Sequence, residues 1–160
     1  MTVNYELLDS QLDALIVGET DLLATSANFV GLLFAEIPNI NWLGIYVLRG
    51  DELVLGPFQG MPACVHIPSG QGVCGTAAAE TRTVRVGNVH EFDGHIACDP
   101  NSKSELVVPL IANGEVFAVL DIDSPHEARF SSDDQSGVEK LCERFVQHLT
   151  SMKTDLRNFI

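Results

Sequence analysis

The strongest constraint on the fold is a pair of apolar runs, Glu105 to Ile111 and Glu115 to Ile122, with Asn113-Gly114 between them. Asn-Gly between two such runs is a tight-hairpin signal, because both residues tolerate the positive φ that a two-residue turn demands. The runs are therefore expected to be antiparallel neighbours, and the fold has to be built around an antiparallel sheet.

Period-two patterning recurs upstream. Trp42 to Leu48 reads as a strand, Arg49-Gly50-Asp51-Glu52 as a turn, and Leu53-Val54-Leu55 as the returning strand. Ala63 to Ile67 and Thr83 to Val86 are two further strand candidates, so about six strands are expected in all. Helical spacing covers about Tyr5 to Ile37, with a break at Gly18 to Asp21, Asp21 as a cap and Pro38 as a stop. Ser69-Gly70-Gln71-Gly72 precedes a small-residue helix from Val73 to Glu80. A closing helix opens at Ser131 or Ser132 and carries Val138, Leu141, Cys142, Phe145 and Leu149 on one face. No linker or repeat divides the chain, which reads as one α+β domain over residues 1–160 with helices mainly on one face of the sheet. The stretch from Gly87 to Ser104 is long for a structureless connection, a sign of a functional or mobile loop.

Nine Lys and Arg against 22 Asp and Glu give a net charge of −13. Nucleic acid and anionic membranes both require a basic face, so neither is expected as a partner; small cationic or zwitterionic ligands stay open. No apolar run approaches the roughly 20 residues of a membrane span. Met1-Thr2-Val3-Asn4-Tyr5-Glu6 lacks the basic-then-apolar pattern of a secretory signal, and a cytoplasmic location is expected.

In such a reducing compartment the four cysteines need roles other than a disulfide framework. Cys142 keeps helical spacing with its apolar neighbours and reads as a small buried hydrophobe. Cys74 sits at the start of the small-residue helix, where unpaired amides and the helix dipole favour a thiolate; a tight turn's need for small residues is the competing explanation. Cys98 lies in the long loop beside Gly94, His95 and Pro100, where core packing explains it poorly and where a nucleophile has freedom to meet a second sulfur. Cys64 follows Pro62-Ala63 at the start of a candidate strand and fits either account. Cys64-x-His66 and His95-x-x-Cys98, with Cys74, also offer zinc-type ligands, but no Cys-x-x-Cys knuckle strengthens that alternative.

Asp121 and Asp123 close the last strand and, two residues apart, share a face. Two carboxylates so placed repel unless a cation or a shared proton intervenes, and the ammonium group of a free amino acid would serve; two solvated acids is the plainer alternative. Glu105, on the partner strand, is placed to meet them, and a protonated member of the trio can donate to a sulfoxide oxygen. Trp42, Gly44 and Tyr46 share a strand face, where the glycine leaves room for a small apolar group such as a thioether methyl; ordinary core aromatics would look the same.

Taken together, Gly56-Pro57-Phe58-Gln59-Gly60, Ala63-Cys64, Gly70-Gln71-Gly72-Val73-Cys74-Gly75-Thr76-Ala77, Phe92-Asp93-Gly94-His95-Ile96-Ala97-Cys98-Asp99, Ser104-Glu105-Leu106-Val107-Val108-Pro109-Leu110 and Leu120-Asp121-Ile122-Asp123-Ser124 resemble the free methionine-(R)-sulfoxide reductases, a GAF-domain family. Asp93 and Ala118 depart from the pattern, where proline and glycine are common, without removing a reacting group. The resemblance implies a GAF-like domain whose ligand pocket lies on the sheet face opposite the terminal helices. It implies Cys98 as nucleophile, Cys64 as the preferred resolving cysteine and Cys74 as an auxiliary or relay thiol. Glu105, Asp121 and Asp123 would bind and polarise the substrate, with Trp42 and Tyr46 lining the pocket. Thioredoxin or a similar dithiol would be the reductant, no metal or organic cofactor is implied, and a homodimer through the helices fits the family. The R preference comes wholly from the resemblance. The competing function is a non-catalytic GAF sensory or binding module, which would need no resolving cysteine and usually sits beside an output domain. A structural zinc protein is a third possibility, separable by metal analysis.

Overall fold

The computed structural model describes residues 2–156 and 158; residues 1, 157, 159 and 160 of the single domain expected over 1–160 lie outside them. Two helices, α1 (Tyr5–Ile16) and α2 (Leu22–Glu36), precede the first hairpin, β1 (Trp42–Arg49) and β2 (Glu52–Gln59). Then come β3 (His66–Pro68), α3 (Gly72–Glu80), β4 (Val84–Val86), the hairpin β5 (Ser104–Ala112) and β6 (Glu115–Ser124), and α4 (Ser132–Ser151). A single helical turn at Val89–Glu91 is the one regular element between β4 and β5 among the described residues. The strands form one sheet in the order β3-β2-β1-β6-β5-β4, and every neighbouring pair is antiparallel. The fold is α+β, as expected.

Asn113 and Gly114 adopt φ of 54° and 79°, the two left-handed positions of a tight hairpin, so β5 and β6 pair from Ser104↔Ser124 to Ala112↔Glu115. Alternation then divides the sheet's residues. Leu43, Ile45, Val47, Leu106, Val108, Leu110, Leu120 and Ile122 pack against α1, α2 and α4, with Phe29 and Phe145 stacked 4.0 Å apart within that helical layer. The other face packs Val107 and Val119 against Val73, Ala77 and Ala78 of α3. Asp21 caps α2 by accepting from the Ala24 N–H at 2.7 Å, and Ser131 opens α4 in a reciprocal capping box with Asp134. No helix among the described residues is long and apolar enough to cross a membrane.

One strand expectation needs correction. β3 is only His66–Pro68, and Ala63 and Cys64 lie in the loop before it. β2 in turn runs on to Gln59, past the Leu55 at which apolar patterning ends. The chain from Gly60 to Val65 thus arches over the face opposite the terminal helices.

Candidate active site

The floor of the site is set by strand register. Trp42 is level with Asp123 and Gly44 with Asp121 across β1 and β6, while Glu105 is level with Asp123 across β5 and β6. Even-numbered β1 residues and the odd-numbered β5 and β6 residues from Glu105 to Pro109 and Val119 to Asp123 share this face, so Trp42, Tyr46, Glu105, Asp121 and Asp123 all border one cavity. Glu105 and Asp121 are 6% and 5% exposed, whereas Asp123 is partly open. Among the described residues lining the cavity none is Lys or Arg. Burial first, and the neighbouring carboxyls second, push all three acids well above the usual carboxylate range. Asp121 Oδ1 is buried without a hydrogen-bond partner.

α3 forms one wall. Gly75 lets it seat against β3, since a Cβ there would stand 2.6 Å from the Pro68 carbonyl oxygen. That seating delivers Cys74, the third residue of α3, into the acidic floor, its Sγ donating to Glu105 Oε1 at 3.9 Å. The helix start was expected to favour a thiolate here. Burial and the charges of Asp121, Glu105 and Asp123 instead push the Cys74 thiol well up, so its proton is held. Cys74, Glu105 and Asp121 place potential ligand atoms within 4.8 Å of one another.

The rim carries the other two sulfurs. Cys64 and Cys98 are joined in a disulfide with Cα atoms 5.5 Å apart, and both are partly exposed. Both Cys98 and the segment before Cys64 border the cavity. Pairing removes these sulfurs from a zinc set, and His66 faces outward, 3.1 Å from Glu52 Oε1; of the zinc-type ligands considered from spacing, Cys74 and His95 are left at the cavity. Cys142 is buried in the helical core, far from this chemistry by face.

The aromatics do more than line the pocket. The Trp42 indole N–H donates to the Met61 carbonyl at 3.0 Å and the Tyr46 hydroxyl to the Cys64 carbonyl at 2.9 Å, so β1 holds the loop that carries Cys64. Trp42 stacks on Phe58 and Tyr46 with centroids 5.4 and 5.8 Å apart. A Cβ at Gly44 would overlap the Trp42 indole and Phe58. The room at Gly44 is therefore filled by the protein's own rings, not left for a substrate methyl.

Two further residues complete the site: His95, read from spacing only as a zinc-type ligand, and Asn41, which the sequence pattern does not mark. His95 lines the cavity with Nε2 at 3.6 Å from Glu105 Oε2, and burial lowers its pKa, favouring the neutral ring. Its position three residues before Cys98 was the available signal. Asn41 donates from Nδ2 to Asp99 Oδ2 at 3.0 Å and to Ser102 Oγ at 3.2 Å, anchoring the Cys98 loop to the start of β1. Nothing in its local sequence marks that contact, which spans 58 residues. With the disulfide closed, the cavity is about 40 Å³ and partly open at its mouth, small for an amino acid.

Known proteins share this fold. The GAF domain family model matches residues 19–149. A protein of Escherichia coli (strain K12) named free methionine-R-sulfoxide reductase is 48% identical over 155 residues, covering 97% of this chain and 93% of that protein. The chain belongs to the free methionine-R-sulfoxide reductase family. This family of GAF-domain oxidoreductases includes the reduced-form fRMsr of Staphylococcus aureus, which superposes with a TM-score of 0.90 at 49% identity over 92% of this chain and 96% of that one. The free methionine-R-sulfoxide reductase from Neisseria meningitidis, in complex with its substrate, superposes at 0.89 with 39% identity over 93% and 90%.

Proposed function

We propose that the protein reduces free L-methionine-(R)-sulfoxide to methionine, with Cys98 as nucleophile and Cys64 as resolving thiol. The observation that carries this is the Cys64–Cys98 disulfide at the rim of a cavity floored by Glu105, Asp121 and Asp123. The free ammonium group of the substrate supplies the cation that the acidic floor lacks, which favours a free amino acid over a peptide-bound residue. The Cys98 sulfur attacks the sulfoxide sulfur while a protonated floor carboxyl donates to the oxygen. Oxygen passes to Cys98, the substrate sulfur gains two electrons, methionine leaves and Cys98 is a sulfenic acid. The Cys64 thiol then condenses with it, releasing water and forming the disulfide.

Both rim cysteines are partly exposed, which suits thiol exchange with thioredoxin or a similar dithiol, in the cytoplasm, to close the cycle. Cys74, buried and protonated, takes the auxiliary place, so Cys64 captures the sulfenic acid first. Reduction has to free the Cys98 loop before substrate enters, because the closed cavity is too small. The scheme calls for no metal or organic cofactor. A non-catalytic GAF binding module would need no paired thiols at its pocket mouth.

The test is thioredoxin-coupled turnover of the free R-sulfoxide by wild type, Cys98→Ser and Cys64→Ser. Cys98→Ser is expected to be inactive with any reductant. Cys64→Ser is expected to release methionine once per chain and then stall with thioredoxin. Full activity of Cys98→Ser removes it as nucleophile, and wild-type thioredoxin turnover by Cys64→Ser moves the resolving role to Cys74.

A further inference from the structure

The acidic floor contains a donor set larger than the reductase cycle uses. Cys74 Sγ and carboxylate oxygens of Glu105 and Asp121 lie within 4.8 Å of one another, all on buried residues. Cys74 Sγ is 3.9 Å from Glu105 Oε1, and His95 Nε2 is 3.6 Å from Glu105 Oε2. Around a tetrahedral zinc-type ion with bonds of about 2.0–2.3 Å, ligand atoms stand roughly 3.3–3.7 Å apart. Closing Cys74, Glu105 and Asp121 on an ion requires shifts of up to about 1.5 Å, and His95, outside that set of three but beside Glu105, has to swing in to complete it.

A second observation is independent of that spacing. Asp121, only 5% exposed, leaves Oδ1 buried with no hydrogen-bond partner. An acceptor stranded in this way is costly, and no basic side chain among the described residues lining the cavity relieves it. An ammonium group would satisfy the carboxylates but offers nothing to the sulfur. A divalent cation of borderline softness engages sulfur, oxygen and imidazole together.

We propose that the reduced, substrate-free pocket binds a thiophilic divalent cation of the zinc class through Cys74, Glu105 and Asp121, with His95 as fourth donor, and that occupancy blocks turnover. Ligation forms a metal–Sγ bond and releases the Cys74 thiol proton to solvent, together with any proton the two carboxyls hold; no electrons move. The ion is an inhibitor, not a cofactor, since it takes the place of the substrate's ammonium group. The blocking clause rests on the proposed function; the binding itself does not.

The experiment uses full-length Cys64→Ser/Cys98→Ser protein, which removes the rim thiols as ligands, titrated with cobalt(II) alone and then with zinc. A thiolate-to-cobalt charge-transfer band with tetrahedral ligand-field bands is expected to saturate stoichiometrically and to be bleached by zinc. In the same background Cys74→Ala loses the charge-transfer band, and Asp121→Asn weakens binding by at least about 10–100-fold. Cys74→Ser, with circular dichroism on every variant, serves if the alanine variant misfolds. No band in the parent, or a band that survives loss of Cys74, overturns the site. Free methionine sulfoxide is expected to bleach the cobalt spectrum by competition. If it does not, while the band still depends on Cys74 and Asp121, the metal site stands and the placement of the substrate ammonium on these acids fails.

Discussion

Asp121 occupies a position that works against the stability of the fold. It is buried beside Glu105 and Cys74, has an unpartnered oxygen and lacks a basic neighbour among the described cavity residues. Replacing Asp121 by Asn keeps the shape and removes one of the crowded acids. The expected result at neutral pH is a rise in Tm of about 2–4 °C, as for roughly 1 kcal/mol in a chain of this size. The same change should lower kcat/KM for the free sulfoxide by about 100-fold, the scale of losing one electrostatic contact in a closed site. A variant that loses both stability and activity would show Asp121 to be structural. Tyr46 argues the other way. Its hydroxyl holds the Cys64 carbonyl, so Tyr46→Phe should cost about 1 kcal/mol and slow disulfide formation after one turnover. Rapid-quench mass spectrometry of the Cys98 sulfenic acid checks this; an unchanged lifetime would separate Tyr46 from the resolving step.

At the level of elements, α4 is held at its start by local chemistry. Ser131 accepts from the Asp134 N–H at 3.1 Å, and Asp134 Oδ2 accepts from the Ser131 N–H at 2.8 Å and from Arg129 Nη1 at 3.0 Å. Ser131→Ala is expected to cost about 1 kcal/mol, or roughly 2–4 °C in Tm, by calorimetry, with activity unchanged because α4 lies behind the sheet. The capping Ser, the apolar stripe of α4 and the Asn113-Gly114 hairpin were legible in sequence because each depends on residues within a turn or two of one another. The shared face of Asp121 and Asp123, and Glu105 opposite, followed from alternation once the hairpin was placed. What depends on distant packing was not legible. β3 shrinks to three residues because its ladder with β2 runs only from His66 to Pro68, with a single further bond from the Leu55 N–H to the Val65 carbonyl at 2.9 Å. Gly44 is small for the sake of Trp42 and Phe58, and Cys74 meets carboxyls from strands over 30 residues away. Local pattern carries no information on any of these.

For the molecule as a whole, the sheet divides two environments: the helical face holds the larger core, and the opposite face concentrates buried acids in a chain of net charge −13. This division sets the pH at which the protein is most stable. Glu105, Asp121 and Asp123 have raised folded-state pKa values, so above the ordinary carboxylate range the folded chain holds protons that the unfolded chain has lost. Stability must then fall as pH rises through that interval, and self-repulsion of the growing negative charge acts in the same direction. His95, lowered by burial, opposes this with a single group. On the acid side the sign reverses. Hydrogen bonding from Arg144 to Asp9, one contact at 2.6 Å, lowers that carboxyl despite burial. Burial would raise Asp134, but its bonds from Ser131, Tyr5 and Arg129 leave it lowered. Their contribution is complete above the ordinary carboxylate pKa and is lost as pH drops through the folded values. The expected Tm profile therefore peaks on the acid side of neutrality. Asp121→Asn should flatten its alkaline limb, and adding salt to about 0.15 M should raise that limb by screening surface charge while sparing the buried trio. A maximum at or above pH 8 would mean that the three acids are ionised and compensated in the folded chain, and that the cation-seeking floor at the centre of the proposed chemistry does not exist.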